Sequence, residues 1–83
     1  MGKQEKILAT VLRGTSDANI SFDDIRSLLL HFGFDERIRG SHFIYRKQGV
    51  EEKINIQSSD GKTKPYQVKQ IREILLKYHL AEK

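Results

Sequence analysis

Apolar positions along the chain fall into three stripes of helical period and two short alternating runs, with glycine or polar residues at the breaks. Ile7, Leu8, Val11 and Leu12 share one face, which predicts an amphipathic helix over residues 3–13 that stops at Gly14. Residues 14–20, Gly-Thr-Ser-Asp-Ala-Asn-Ile, read as a polar linker. Ser21 is placed to cap a second helix, with Asp24 three residues on as an approximate capping box. Asp23 and Asp24 also suit the positive end of the helix dipole. That helix spans about residues 22–32, with Phe22, Ile25, Leu28, Leu29 and Phe32 as its buried stripe. Gly33 ends it, and Phe34 is expected to fold back onto the core. The period then drops to two. Residues 36–39 and 42–47 read as strands, Gly49 marks a turn, and residues 53–57 alternate as a returning strand. Residues 58–65 read as a loop. Pro65 opens a last helix over residues 66–80, striped by Val68, Ile71, Ile74, Leu75 and Tyr78.

The order helix, helix, three antiparallel strands, helix predicts an α+β domain. Its three-stranded antiparallel sheet has helices on one face and leaves the other face free. Phe43 and Tyr45 are the bulkier apolar pair of the middle strand and go to the core, which turns His42, Ile44 and Arg46 outwards. On the returning strand Ile54 and Ile56 take one face, with Lys53, Asn55 and Gln57 on the other. His31 and His79 fall at helix ends, where the dipole favours them. Tyr66 reads as a packing residue at the start of the last helix.

Composition bounds the partners. The 83 residues suit one small domain with a modest core. There is no cysteine, and the three histidines are scattered, so neither a disulfide framework nor a metal centre is expected, and no cofactor is called for. The longest apolar run, Leu28-Leu29-Leu30, is far short of a membrane span, and Met1 to Lys6 lacks the apolar segment of a signal peptide. A cytoplasmic protein without a membrane partner is the expectation. Net charge is +4, but it is unevenly spread. Residues 1–36 carry four Lys/Arg against six Asp/Glu, whereas residues 37–83 carry eleven against five. The half with the strands and last helix is therefore basic, which points to a polyanion such as RNA, or to a solvated surface that aids solubility.

The stretch Gly40-Ser41-His42-Phe43-Ile44-Tyr45-Arg46-Lys47 concentrates the candidate chemistry. A Gly-Ser turn delivers a histidine to the first position of a strand, with Arg37 and Arg39 before it and Arg46 and Lys47 after it. RNA carries its own nucleophile, the 2′-hydroxyl. Histidine titrates near neutrality and suits the removal of that proton. Arg39, Arg46 and Lys47 are candidates to hold charge on the phosphate oxygens, and Gly40 to let the backbone approach it. Lys62 and Lys64, before the last helix, either grip backbone phosphates or belong to a solvated loop. The plainer alternative for the motif is an ordinary turn with a histidine that pairs across the sheet.

From Ser21 onward the chain resembles the HicA family of toxins from bacterial and archaeal toxin–antitoxin pairs. The carrying residues are the helix ending in Gly33-Phe34, then Arg39-Gly40-Ser41-His42-Phe43-Ile44-Tyr45, a second strand at 53–57 and an amphipathic helix at 66–80. The resemblance implies a fold like that of double-stranded-RNA-binding domains, helix–three strands–helix, over residues 21–80. Residues 1–20 would then be an added helix and linker in a single domain of residues 1–83. It implies a metal-independent endoribonuclease that cuts mRNA, with His42 as the essential histidine and a HicB-type antitoxin as partner. The Val-Pro-x-His stretch often found on the family's second strand is replaced here by Ile54-Asn55-Ile56-Gln57. Two other readings stand beside this one: a non-catalytic RNA-binding module of the same topology, and a small domain that pairs its free strand edge with another protein.

Overall fold

The three apolar stripes become three helices in the computed structural model, which describes residues 2–80. They are α1 (Lys3–Arg13), α2 (Phe22–His31) and α3 (Pro65–Lys77), with a single 3-10 turn over Asp17–Asn19 between the first two. Strands β1 (Asp35–Arg39), β2 (His42–Lys47) and β3 (Val50–Ile56) form an antiparallel sheet in the order β1-β2-β3. Ser21 caps α2, its hydroxyl accepting from the Asp24 N–H at 3.0 Å. At the other end Gly33 takes φ +88°, and the Phe34 N–H donates to the Leu29 carbonyl at 3.1 Å while its ring is buried. This is the closing pattern that a left-handed residue after a helix produces.

One apolar cluster unites the helices with the inner face of the sheet. Val11, Ile25, Leu28, Leu29, Val68, Ile71 and Leu75 pack with Tyr45, Ile54 and Ile56, all fully buried. Helix α1 contributes Ile7 and Val11 and is part of this core. Arg72 of α3 fastens its end, donating to the Val11 carbonyl at 3.1 Å and to the Asp17 carboxylate at 2.9 Å.

Beyond shifts of a single residue, two boundaries and one loop differ from the sequence expectation. β3 begins at Val50, three residues earlier than its alternation suggested. Glu51 and Glu52 are poor strand formers by propensity, but Glu52 is held by α3: it accepts from the Lys77 ammonium at 2.9 Å and from the Tyr78 hydroxyl. The expected loop after β3 contains a small ribbon, β4 (Ser58–Ser59) against β5 (Lys62–Thr63). Asp60 and Gly61 both have positive φ between these strands, the requirement of a tight hairpin turn. The ribbon docks on the start of α2, where the Phe22 N–H donates to the Gly61 carbonyl and the Thr63 N–H to the Ile20 carbonyl. Helix α3 stops at Lys77, with Tyr78 as cap and His79 in the left-handed region at φ 56°.

Two carboxylates bind the sheet to the helices through charge. Glu36 of β1 meets the Arg26 guanidinium in two parallel contacts of 3.0 Å and accepts from the buried Tyr45 hydroxyl. Arg26 is the main reason that Glu36 lies below the usual carboxylate range. Tyr78, with Lys77 beside it, holds Glu52 at about 2. Both groups bind protons more weakly folded than unfolded, so the stability they give is present above about pH 4.5 and is lost as the pH falls towards 2. Thermal melts across that window are expected to show a falling melting temperature; a flat profile from pH 5 to 2 would contradict the assignment.

Candidate nucleic-acid interface on the outer face of the sheet

Alternation along each strand decides what the free face of the sheet carries. With Glu36 on β1, Phe43 and Tyr45 on β2, and Glu52, Ile54 and Ile56 on β3 turned to the helices, the outer face takes Asp35, Arg37 and Arg39, then His42, Ile44 and Arg46, then Lys53 and Asn55. Gly40 and Ser41 are the two-residue turn between β1 and β2, which sets Arg39 directly opposite His42. Gly40 has φ +59° there, so a left-handed residue is what this turn requires at its first position. A Cβ at Gly40 would meet nothing within 4 Å, so the space over the turn is open.

His42 is exposed, and two amides of the β3 segment hold its ring. Its Nδ1 lies 3.3 Å from Asn55 Oδ1, and its Nε2 lies 3.4 Å from Gln57 Nε2. The Gln57 amide also donates to the Ser41 hydroxyl at 3.2 Å. A carbonyl oxygen only accepts and an amide NH2 only donates. As these amides are oriented, the hydrogen sits on Nδ1, which donates to Asn55, and the Nε2 lone pair accepts from the Gln57 amide. Gln67 of α3 donates to the Asn55 backbone carbonyl at 3.3 Å, which ties the end of β3, where Asn55 lies and Gln57 follows, to the helix layer.

The predicted site residues separate into groups. Arg39, Gly40, Ser41 and His42 are assembled at one end of the face, and Arg46 lies farther along the same face, opposite Asp35. Lys47 belongs elsewhere. A bulge interrupts the β2–β3 register between Tyr45 and Lys47, and the Lys47 ammonium reaches the end of α2, 3.0 Å from where a Cβ on Gly33 would stand. Lys62 is exposed on the separate ribbon and Lys64 is the cap residue of α3; neither lines the outer face. Tyr66, expected to pack, is 65% exposed. Sequence reasoning placed Asn55 and Gln57 on the right face but did not connect them with His42. The period-two alternation was the available signal, and the missing piece was the register that sets Ile44 opposite Asn55.

No protein-family model, curated protein or solved structure matches this chain. Among the described residues, no three His, Cys, Asp or Glu side chains come together as a metal site would need, and no helix is long and apolar enough to cross a membrane.

Proposed function

We propose that this chain is a metal-independent endoribonuclease of the HicA kind, acting on single-stranded mRNA, with His42 as its general base. The reading includes the fold of a double-stranded-RNA-binding domain to which α1 has been added, and a HicB-type antitoxin that covers the outer face. The observation that carries it is the state of His42: exposed, opposite Arg39, and held in one tautomer by Asn55 at Nδ1 and Gln57 at Nε2. An ordinary packing histidine has no need of that arrangement.

The chemistry balances within the substrate. The substrate 2′-hydroxyl displaces the Gln57 amide from His42 Nε2, which takes the hydroxyl proton; the 2′-oxygen bonds to the adjacent phosphorus, and the bond to the 5′-oxygen breaks. The products are a 2′,3′-cyclic phosphate and a 5′-hydroxyl, whose proton comes from water. The Arg39 guanidinium, across from the base, stabilises the extra negative charge on the phosphate oxygens in the transition state. Gln57 stands where the family often has a second histidine, and an amide has no titratable proton to give, so turnover is slow. The test is incubation of end-labelled single-stranded RNA with the protein in EDTA, beside the same strand with deoxyribose at every position. Cleavage of the RNA alone, with cyclic phosphate ends, is expected. RNA that is bound with steep salt dependence yet never cut would make the chain a binding module instead.

A further inference from the structure

Beyond His42 the outer face is not flat. A trough of about 660 Å³ runs along it, with the half-buried Ile44 in its lining, Asp35, Arg37, Arg39, Arg46 and Lys53 around it, and Glu36 at its wall with a carboxylate engaged by Arg26 and Tyr45. Its four cations come from all three strands. Among the described residues none of the four is in an ion pair. The acids that could have neutralised them are committed on the helix side: Glu36 to Arg26 and Tyr45, Glu52 to Lys77 and Tyr78. The fold thus satisfies its inner carboxylates and leaves the cations of the other face unmatched, save for Asp35 within the trough and Glu51 at the far turn of β3. Long arginine and lysine stems beside Ile44 can cover its apolar surface while their heads stay in water.

We infer that this trough is a phosphate-binding subsite that holds the backbone of single-stranded RNA beside the bond to be cut, an inference that rests on the ribonuclease reading of His42. Arg46 is four residues from His42 along β2, about 13 Å in a strand. That is too far to share the scissile phosphate, so Arg37, Arg46 and Lys53 hold phosphates farther along the chain. Arg39 belongs to both places, since it lines the trough and faces His42. Among the described residues no Phe or Tyr ring lies on this face, because Phe43 and Tyr45 are turned to the core. The phenyl and phenol platforms usual in single-strand binding are therefore missing among the described residues, and the grip is chiefly electrostatic, with little preference for base. A single strand fits better than a duplex for two reasons. Duplex readers span about 16 base pairs over successive grooves, far more than one short trough offers. The attacking 2′-oxygen must also line up with the departing 5′-oxygen, which a regular A-form helix prevents.

The test compares wild type with the double variant Arg37→Gln/Lys53→Gln, whose positions are exposed and, unlike Arg39, are not paired with His42. Substrates are uridine and adenosine 12-mers and a dinucleotide, which has no phosphate beyond the one to be cut for Arg37 and Lys53 to hold. KM for both 12-mers is expected to rise about ten- to a hundredfold, as for the loss of two solvent-exposed contacts of about 0.7–1.4 kcal/mol each, with kcat and the dinucleotide rate unchanged. The slope of log affinity against log salt should flatten by about 1.4, at about 0.7 per phosphate on a single strand. An unchanged KM and slope would overturn the inference, as would duplex RNA that binds wild type as tightly as the single strand. If wild type cuts nothing, the ribonuclease reading fails on its own, and fluorescence anisotropy with the same 12-mers decides the trough: weaker, flatter binding by the variant supports it, and equal binding overturns it.

Discussion

His42→Ala is expected to cut RNA about 10²–10⁴-fold more slowly than wild type, the range over which a positioned acid–base group contributes. Its melting temperature should hardly move. The imidazole is exposed and touches only side chains on the rim of the sheet, and substitutions of that kind stay within about 0.5 kcal/mol. The two readouts together separate chemistry from folding. RNA affinity is expected to persist in the variant, because the cations of the trough are untouched. A variant that cleaves at the wild-type rate would remove His42 from the mechanism and leave the turn-and-strand motif as ordinary architecture. Asn55→Leu should sit between the two, since it removes the oxygen that fixes the ring and its tautomer but leaves the base in place.

Glu36→Ala is expected to cost about 2–3 kcal/mol, the scale for breaking a largely buried charge pair with some discount for residual solvent contact. The Glu36 side chain is 16% exposed and Arg26 32%, so the pair is shielded but not sealed. The loss strands two groups at once: the Arg26 guanidinium, which also lies 4.8 Å over the Phe43 ring, and the fully buried Tyr45 hydroxyl. β1 magnifies the effect. It is an edge strand, and Glu36 is its only residue that is not exposed, so little else ties it to the core. Urea denaturation should show a lower midpoint with an unchanged slope, and hydrogen exchange should be faster at the β1 amides than elsewhere. Combined with Tyr45→Phe the cost should be less than additive, because the second change removes a group the first has already orphaned. Wild-type stability in Glu36→Ala would show that the pair is no more than a surface contact.

The helices were legible because each signal was local. Ser21 with Asp24, the Gly33-Phe34 closure and Pro65 at the first turn of α3 all act within a few residues. The inward choice of Tyr45, with His42 and Arg46 outward, followed from bulk and alternation alone. What escaped the sequence depends on partners far along the chain. β3 reaches back to Val50 because Lys77 and Tyr78 hold Glu52, some 25 residues away. Asp60-Gly61 is a strong hairpin signal, but serine and lysine around it gave no alternating apolar run to frame it. Lys47 was counted with the phosphate ligands on its nearness in sequence to Arg46, and a bulge and the pleat send it to the helix side. The histidine itself was visible; its two amide partners needed the register of β2 on β3.

Arg72 joins positions 61 residues apart when it reaches the Val11 carbonyl. Closing so long a loop costs entropy before any contact rewards it, and α1 has its buried side chains in the same cluster as α3. A nascent chain therefore cannot complete its core until α3 has left the ribosome. During synthesis α1 can pack on α2 first, but the Val11 carbonyl waits for Arg72, so the core is completed only when residues 65–77 have emerged.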